Sequence, residues 1–275
     1  MWSKHPLEWT DNKTAYLSTV FTWQLPDAWS RCVWYRQQGY NVVAGGVAVS
    51  LMPDYLKSVA DISQKIPCLT RHNPDATRFS TGCINKCSFC GVPITEGDFK
   101  ECEGEPKPIV CDNNYLASTR KHFDYGIDTL KGVKGVDMNQ GLDCRLITPY
   151  HVGRLKELDL ACIRFAWDNV NSESKVIDAI NMCIKGGIPK SKIRLYVLVG
   201  FNDTPEDALY RMQTLKAMGL NKNAPMRYQP IKGEKALVKD SYLSPKWTDY
   251  EMVRFVRYWF KQAWVGNIPY AEFRG

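Results

Sequence analysis

Phe79-Ser80-Thr81-Gly82-Cys83-Ile84-Asn85-Lys86-Cys87-Ser88-Phe89-Cys90-Gly91 crowds three cysteines into eight residues, in the pattern Cys-x3-Cys-x2-Cys. The preceding run, Thr77–Thr81, has strand character, so the cysteines are expected on a loop leaving a strand. Three thiolates on one tight loop can hold three corners of an iron–sulfur cubane, a cluster that cysteine thiolates ordinarily bind. A fourth nearby cysteine is missing, which leaves one iron open to an outside ligand. A structural zinc site instead wants four closed ligands. A zinc-binding module would need Cys68, Cys102 or Cys111 as the fourth.

Downstream of this loop, apolar segments alternate with amphipathic helices, the pattern of a parallel sheet built from βα units. Six strands are expected: Thr77–Thr81, Pro108–Asp112, Val136–Gln140, Cys162–Trp167, Ile193–Gly200 and Pro225–Gln229. Helical spacing links Phe123, Ile127 and Leu130, then Val152, Leu155 and Leu158. It recurs in Val176, Ile180, Cys183 and Ile184, and in Ala208, Met212 and Leu215. Thr148-Pro149 and Thr204-Pro205 each offer a threonine N-cap followed by proline at the first helical position. Six units at this spacing suit an incomplete parallel barrel better than an eightfold one, which takes about 250 residues. The expected class is therefore α/β, a partial (β/α)6 parallel barrel over residues 76–230.

Residues 1–75 form a smaller unit in this reading, one βαβ with strands Ala15–Phe21 and Asn41–Ala44 around a helix Asp27–Gln38, ending in Gly45-Gly46. Phe21-Thr22-Trp23-Gln24-Leu25-Pro26 serves either as a lid on the barrel mouth or as interdomain packing. Residues 231–275 read as a basic helical extension. Thr248-Asp249-Tyr250-Glu251 has capping-box spacing, and Val253, Val256, Phe260 and Trp264 supply an apolar stripe with Arg254, Arg257 and Lys261 on the other side. No internal repeat or low-complexity segment is present.

The chain has 275 residues, 44% hydrophobic and 24% charged, the composition of a soluble globular protein rather than of a disordered one. No apolar run approaches the roughly 18 residues of a membrane span, and no basic-then-apolar leader opens the chain, so no membrane and a cytoplasmic location are expected. Ten cysteines in such a chain argue for metal chemistry or thiols more than for a disulfide framework. Seven are scattered singly, mostly in apolar surroundings where cysteine acts as a small hydrophobe. Residues 219–275 hold ten Lys/Arg against five Asp/Glu, a bias that admits an anionic partner, nucleic acid included, as well as a solvated basic face.

The spacing of Cys83, Cys87 and Cys90, the aromatic Phe89 before the third, the strand before the loop and the βα units behind it resemble the radical S-adenosylmethionine superfamily. That resemblance covers about residues 77–230 and implies a 4Fe-4S cluster on the three cysteines, with S-adenosylmethionine on the open iron. Reductive cleavage of the sulfonium then gives a 5′-deoxyadenosyl radical that takes hydrogen from substrate. By location, it implies that Asp112, Asn113 and Asn114 bind the methionyl amino group, although the usual Gly-Gly-Glu is absent. Asp168 falls where ribose or carboxylate is contacted, Gly200 where adenine is lined, Arg227 near the adenine edge, and Phe89 where it would stack near adenine.

At the end of the third strand, Gln140, Asp143 and Arg145 are candidates for the cofactor carboxylate or for substrate, against a simple Asp143–Arg145 surface pair. Proton transfer is open to Asp143, Asp168, Tyr228 or a cysteine. The N-terminal βαβ is similar to a remnant of the cobalamin-binding domain of many relatives, but cobalamin is not expected. The pattern Asp-x-His-x-x-Gly is absent, since His5, His72, His122 and His151 follow Ser3, Thr70, Arg120 and Pro149 two residues earlier.

Without a second cysteine cluster, the sulfur-inserting branches fit poorly. Compact members of this look include queuine lyases and radical enzymes that modify nucleotides. The implied substrate is a small nucleobase- or nucleotide-related compound, in lyase or isomerase chemistry, with flavodoxin or ferredoxin as electron donor. The alternatives are a radical enzyme acting on polymeric nucleic acid or a peptide and, more remotely, a non-catalytic zinc module.

Overall fold

The computed structural model describes residues 5–65, 69–261 and 268–274; Cys68 and Trp264, named above, lie outside them. The chain forms two compact units. One comprises Met1–Ala76, Asn85–Gly97 and Gln229–Tyr242, the other Thr77–Ile84, Asp98–Tyr228 and Leu243–Gly275. The chain changes unit after Ala76 and again after Tyr228. The segment 231–275 is divided between the units, and the cysteine loop passes from one to the other after Ile84.

In the first unit, strands β1 (Leu7–Asp11), β2 (Thr14–Ser18), β3 (Asn41–Gly45) and β4 (Asp61–Ile62) form one sheet in that order, with helices α1 (Leu25–Gln37), α2 (Val47–Leu51), α3 (Leu69–His72) and α4 (Val92–Thr95). β2 and β3 are parallel, Thr14 opposite Asn41, and with α1 they make the expected βαβ. β2 stops at Ser18, short of the expected Phe21, because Thr22–Gln24 already turns as a 3-10 helix into α1 and its first-turn proline. β1 was not expected. It pairs antiparallel with β2 through a two-residue turn in which Asn12 takes φ 49°, a value asparagine tolerates. Ala15, Leu17, Val42 and Ala44 from the strands and Leu25, Ala28 and Cys32 from α1 are buried together.

Gly45-Gly46 has a structural reason in this unit. Gly46 takes φ 97°, and a Cβ there would lie 2.6 Å from the Thr19 carbonyl oxygen and 2.8 Å from its nitrogen. Thr19 is fixed in place, since its N–H donates to Gly45 O at 2.9 Å and its own carbonyl accepts the Ala48 N–H at 3.0 Å. Gly46→Ala should therefore cost about 3 kcal/mol, strain and overpacking acting together. Urea unfolding checks this, with Gly39→Ala separating backbone strain from crowding, because Gly39 has φ 82° but nothing within 4 Å of its added Cβ.

The second unit holds β5 (Ala76–Thr77, beginning one residue before the unit), β6 (Ser80–Thr81), β7 (Lys100–Glu101), β8 (Ile109–Val110), β9 (Val136–Leu142), β10 (Leu160–Trp167), β11 (Ile193–Val199) and β12 (Ala224–Arg227). Its helices are α5 (Arg120–Leu130), α6 (Pro149–Leu155), α7 (Glu173–Lys185), α8 (Pro205–Ala217) and α9 (Asp249–Phe260). A six-stranded parallel sheet runs β5-β8-β9-β10-β11-β12, so, β6 and β7 apart, each strand lies beside the next in the chain. Registers include Val110 opposite Met138, Ile163 opposite Met138, Phe165 opposite Leu195 and Val197 opposite Pro225. Phe123, Ile127, Leu155, Val176, Ile180, Cys183, Ala208 and Leu215, all read from helical spacing, are buried in one core with the strands.

The expected caps are present. Thr148 Oγ1 accepts the His151 N–H at 3.4 Å, and Thr204 Oγ1 accepts that of Asp207 at 3.2 Å.

Two expectations need correction. Thr77–Thr81 is not one strand: β5 ends at Thr77, and β6 leaves the main sheet to pair antiparallel with β7. The break occurs where Phe79 is fully buried and the Asp112 carboxylate takes the Phe79 N–H at 3.0 Å in place of a ladder partner. In α9, the buried face is Met252, Phe255, Tyr258 and Trp259, whereas Phe260 is 61% exposed and Val253 and Val256 only half-buried. The larger aromatic set wins the core side, where Phe255 meets Trp247 edge-on at 5.5 Å.

Candidate functional site

Because the strands of the six-stranded sheet run parallel, their carboxyl ends share one edge, the edge where parallel α/β sheets usually place their chemistry. β8 delivers Cys111 to Asn114 there, β9 delivers Asp143 to Arg145, β10 delivers Asp168, β11 delivers Gly200 and β12 delivers Tyr228.

Asn114 is the hub of this edge. Its side chain is buried, and Nδ2 donates to Cys83 Sγ at 3.5 Å and to Asp143 Oδ2 at 3.4 Å. Its Oδ1 is buried without a hydrogen-bond partner. An acceptor in that condition costs about 1–3 kcal/mol, which a bound donor would recover. Asp143 in turn holds Arg145 in a bidentate pair, Nε to Oδ1 at 2.8 Å and a terminal nitrogen to Oδ2 at 2.7 Å. Arg145 keeps 52% of its side chain exposed while Asp143 keeps 9%. The two are thus an ion pair, as one reading had it, but a pair rooted through Asn114 on a thiol. Asp168 stands close enough to feel Arg145 and Asp143, and burial raises its carboxyl above the usual range, with Arg211 and Arg145 opposing.

Asp112 is placed differently from a ligand-binding acceptor. It is 3% exposed, and it accepts both the Phe79 N–H and the Ser80 hydroxyl, the latter at 2.6 Å. Its work is to hold the chain entering the cysteine loop. Burial raises its carboxyl to about 6, outweighing the Ser80 hydroxyl and the Phe79 and Ser80 amides. The folded state then holds this proton more tightly than the unfolded chain, so the contribution of Asp112 is most favourable in acid and falls as pH rises through about 6. Asp112→Asn should gain on the wild type by up to about 3 kcal/mol between roughly pH 4 and pH 7. Urea unfolding of both proteins across that range reads the difference, and parallel curves would refute it.

The remaining candidates separate. Gln140 is exposed and its side chain meets the Cys111 thiol, which burial and then Asp112 raise to about 11. Asn113 is half-buried. Gly200 takes φ 79°, donates its N–H to Asp203 Oδ1 at 2.7 Å, and a Cβ there would meet Met252 Cε at 2.6 Å, so the fold already requires glycine. Tyr228 packs its ring on Phe201 at 4.8 Å. Arg227 is half-buried on β12, the last strand of the sheet order.

Cys83 lies in the second unit and Cys87, Cys90 and Phe89 in the first, all four half-buried. Among the described residues no three His, Cys, Asp or Glu side chains gather around a point as ligands of one metal ion would. A cubane spreads its thiolates over separate irons, so their sulfurs stand further apart than the ligands of a single ion. Of the cysteines named for a zinc module, Cys102 lies 3.9 Å from the Arg78 carbonyl and Cys111 is buried.

Sequence reading missed Arg211, the largest buried charge. It is fully buried on α8, donates to Trp167 O at 2.7 Å and Leu198 O at 2.9 Å, and pairs with Asp203 at 2.5 Å. It therefore ties together the carboxyl ends of β10 and β11, beside Asp168. The signal was its place on the same helical face as Ala208, Met212 and Leu215.

The basic bias of residues 219–275 is partly internal. Arg254 donates to the carbonyls of Phe273, Tyr270 and Ala271, and Lys246 to that of Asn202. Among the described residues no helix is long and apolar enough to cross a membrane. Compared with family models and with curated proteins, the chain matches none.

Proposed function

We propose that this chain is a radical S-adenosylmethionine enzyme acting on a small nucleobase- or nucleotide-related substrate, and that its six-stranded parallel sheet is a partial (β/α)6 barrel. The observation that carries the reading is the Cys-x3-Cys-x2-Cys loop that comes, after the short β6, behind β5, the first strand of a parallel sheet whose six strands are ordered as they occur in the chain. A doubly wound sheet would reverse that order at a switch point, and this one does not. Support also comes from the buried, partnerless Asn114 Oδ1 two residues after Asp112, an acceptor suited to the ammonium of S-adenosylmethionine.

A bound 4Fe-4S cluster would supply the electron for reductive cleavage of S-adenosylmethionine, the source of the radical chemistry that removes hydrogen from substrate. Cys83, Cys87 and Cys90 hold the cluster in this reading. Asn114 Oδ1 accepts from the amino group, and the exposed Arg145 guanidinium takes a carboxylate or phosphate. Asp168, half-buried at the same edge, accepts from ribose hydroxyls or holds a proton, since its raised carboxyl is suited to exchange one. The protein's share is binding, orientation and exclusion of solvent. A flavodoxin or ferredoxin would deliver the electron. A small substrate is favoured over a nucleic acid polymer because two cations of the basic tail, Arg254 and Lys246, are spent on backbone carbonyls.

Protein purified anaerobically and reconstituted with iron and sulfide should be brown and should release 5′-deoxyadenosine from S-adenosylmethionine under dithionite. A colourless protein carrying one tight zinc ion and releasing none would overturn the reading. Binding to RNA or DNA that falls steeply with salt would replace the small substrate by a polymer.

A further inference from the structure

We infer that Asn114 is a positioning residue that sets the reduction potential of the cluster through an N–H···S bond to Cys83, and that the Asp143–Arg145 pair locks its amide in the donating orientation. The inference rests on the proposed function, since it concerns the cluster that Cys83 would hold.

An asparagine amide presents an acceptor on one side and two donors on the other, and its neighbours decide which way it faces. Here the neighbours are Cys83 Sγ at 3.5 Å and Asp143 Oδ2 at 3.4 Å, both on Nδ2. A carboxylate only accepts, so a flipped amide would set Oδ1 against Asp143 oxygen and lose both bonds. Arg145 reinforces the choice by holding both Asp143 oxygens, at 2.8 and 2.7 Å, which fixes the carboxylate that Asn114 addresses. The arrangement is a short chain from an exposed guanidinium to a thiol: Arg145, Asp143, Asn114, Cys83. At 1% exposure Asn114 has no water to compete for its donors, so the bond to sulfur persists.

Hydrogen bonds to the sulfurs are among the levers that set iron–sulfur potentials. The reduced cluster carries one more negative charge than the oxidised one, and a donor to its thiolate stabilises the reduced form more. Removing the donor should make reduction harder.

The test uses the full chain, reconstituted anaerobically, with electron paramagnetic resonance to count reduced clusters during a redox titration. Asn114→Ala should keep its iron and sulfide but titrate at a more negative potential, so that at the wild-type midpoint its reduced fraction falls severalfold. Asn114→Leu, close in size, uncharged and without a donor, should shift in the same direction, and it decides the matter if the alanine variant loses iron. Asn114→Gln, which keeps a donor amide, should titrate closer to wild type than Asn114→Leu does, which a purely structural role would not predict. Superimposable titrations for wild type and Asn114→Leu, with full iron in both, overturn the inference while leaving the proposed function intact. A wild-type chain that assembles no cluster overturns both.

Discussion

Cys83→Ala, Cys87→Ala and Cys90→Ala should each abolish the iron content of the reconstituted protein, whereas Cys32→Ala and Cys183→Ala should leave it at the wild-type level. The thiolate is the metal ligand, so a cysteine that burial keeps protonated is a poor candidate. Cys32 and Cys183 are fully buried, and burial pushes both thiols up to about 12, where they stay protonated at any working pH. Cys111 and Cys144 are held at about 11 by burial and by the neighbouring carboxylates Asp112 and Asp143. Cys83, Cys87 and Cys90 are half-buried, and Cys83 already accepts an amide N–H from Asn114. Because each thiolate would occupy a separate iron, no single member of the triplet is spare. Iron and acid-labile sulfide per chain, with the visible absorbance of the cluster, measure the outcome. Iron retained at full stoichiometry after loss of any triplet cysteine contradicts the assignment, and loss of iron in Cys183→Ala would show that unfolding had been mistaken for ligand removal. Stability of each variant is therefore measured alongside.

How much of this was legible in the residues depended on whether a signal was local. The caps at Thr148 and Thr204 and the apolar faces of α5, α7 and α8 are local: one side chain meets one amide, or a spacing repeats over three turns. They could be read directly. The break after Thr77 could not, because what ends the strand is the Asp112 carboxylate, thirty-odd residues away in the chain, accepting the Phe79 N–H. In α9, two apolar stripes one residue apart were both present, Met252-Phe255-Trp259 and Val253-Val256-Phe260, and only packing against Trp247 chooses between them.

The site divides in the same way. The cysteine triplet and the pair Asp143–Arg145 lie within short stretches and were named. That Asp112 serves the fold while Asn114, two residues on, faces a thiol is a matter of which way successive side chains leave the end of β8, and no spacing reports it. Gly45-Gly46 was legible as a feature but not in its cause, the approach of Thr19 backbone to Gly46.

Asp203→Ala should cost about 3–5 kcal/mol of stability, the largest effect expected outside the proposed cluster ligands, because it strands the fully buried charge of Arg211. Asp203 is nearly as deeply buried, and the pair is closed at 2.5 Å with Gly200 N–H on the other carboxylate oxygen at 2.7 Å. Desolvation works against both charges, which is why the pair as a whole contributes little and its breaking costs much. Removing both, in Asp203→Ala with Arg211→Met, should therefore be milder than Asp203→Ala alone, a non-additivity that urea unfolding of the cycle reads directly. The remaining bonds of Arg211 explain why this reaches the site. With Asp203 gone, the guanidinium is still held by Trp167 O and Leu198 O but has lost its counter-charge, and the ends of β10 and β11 that it joins lose their anchor on α8. Asp168 follows Trp167 directly. Amide exchange should accordingly rise first at the carboxyl ends of those two strands, before the global unfolding that the stability loss brings nearer. Equal unfolding free energies for wild type and Asp203→Ala, or a double variant worse than the sum of its parts, would show that the pair is not the fastening its geometry indicates.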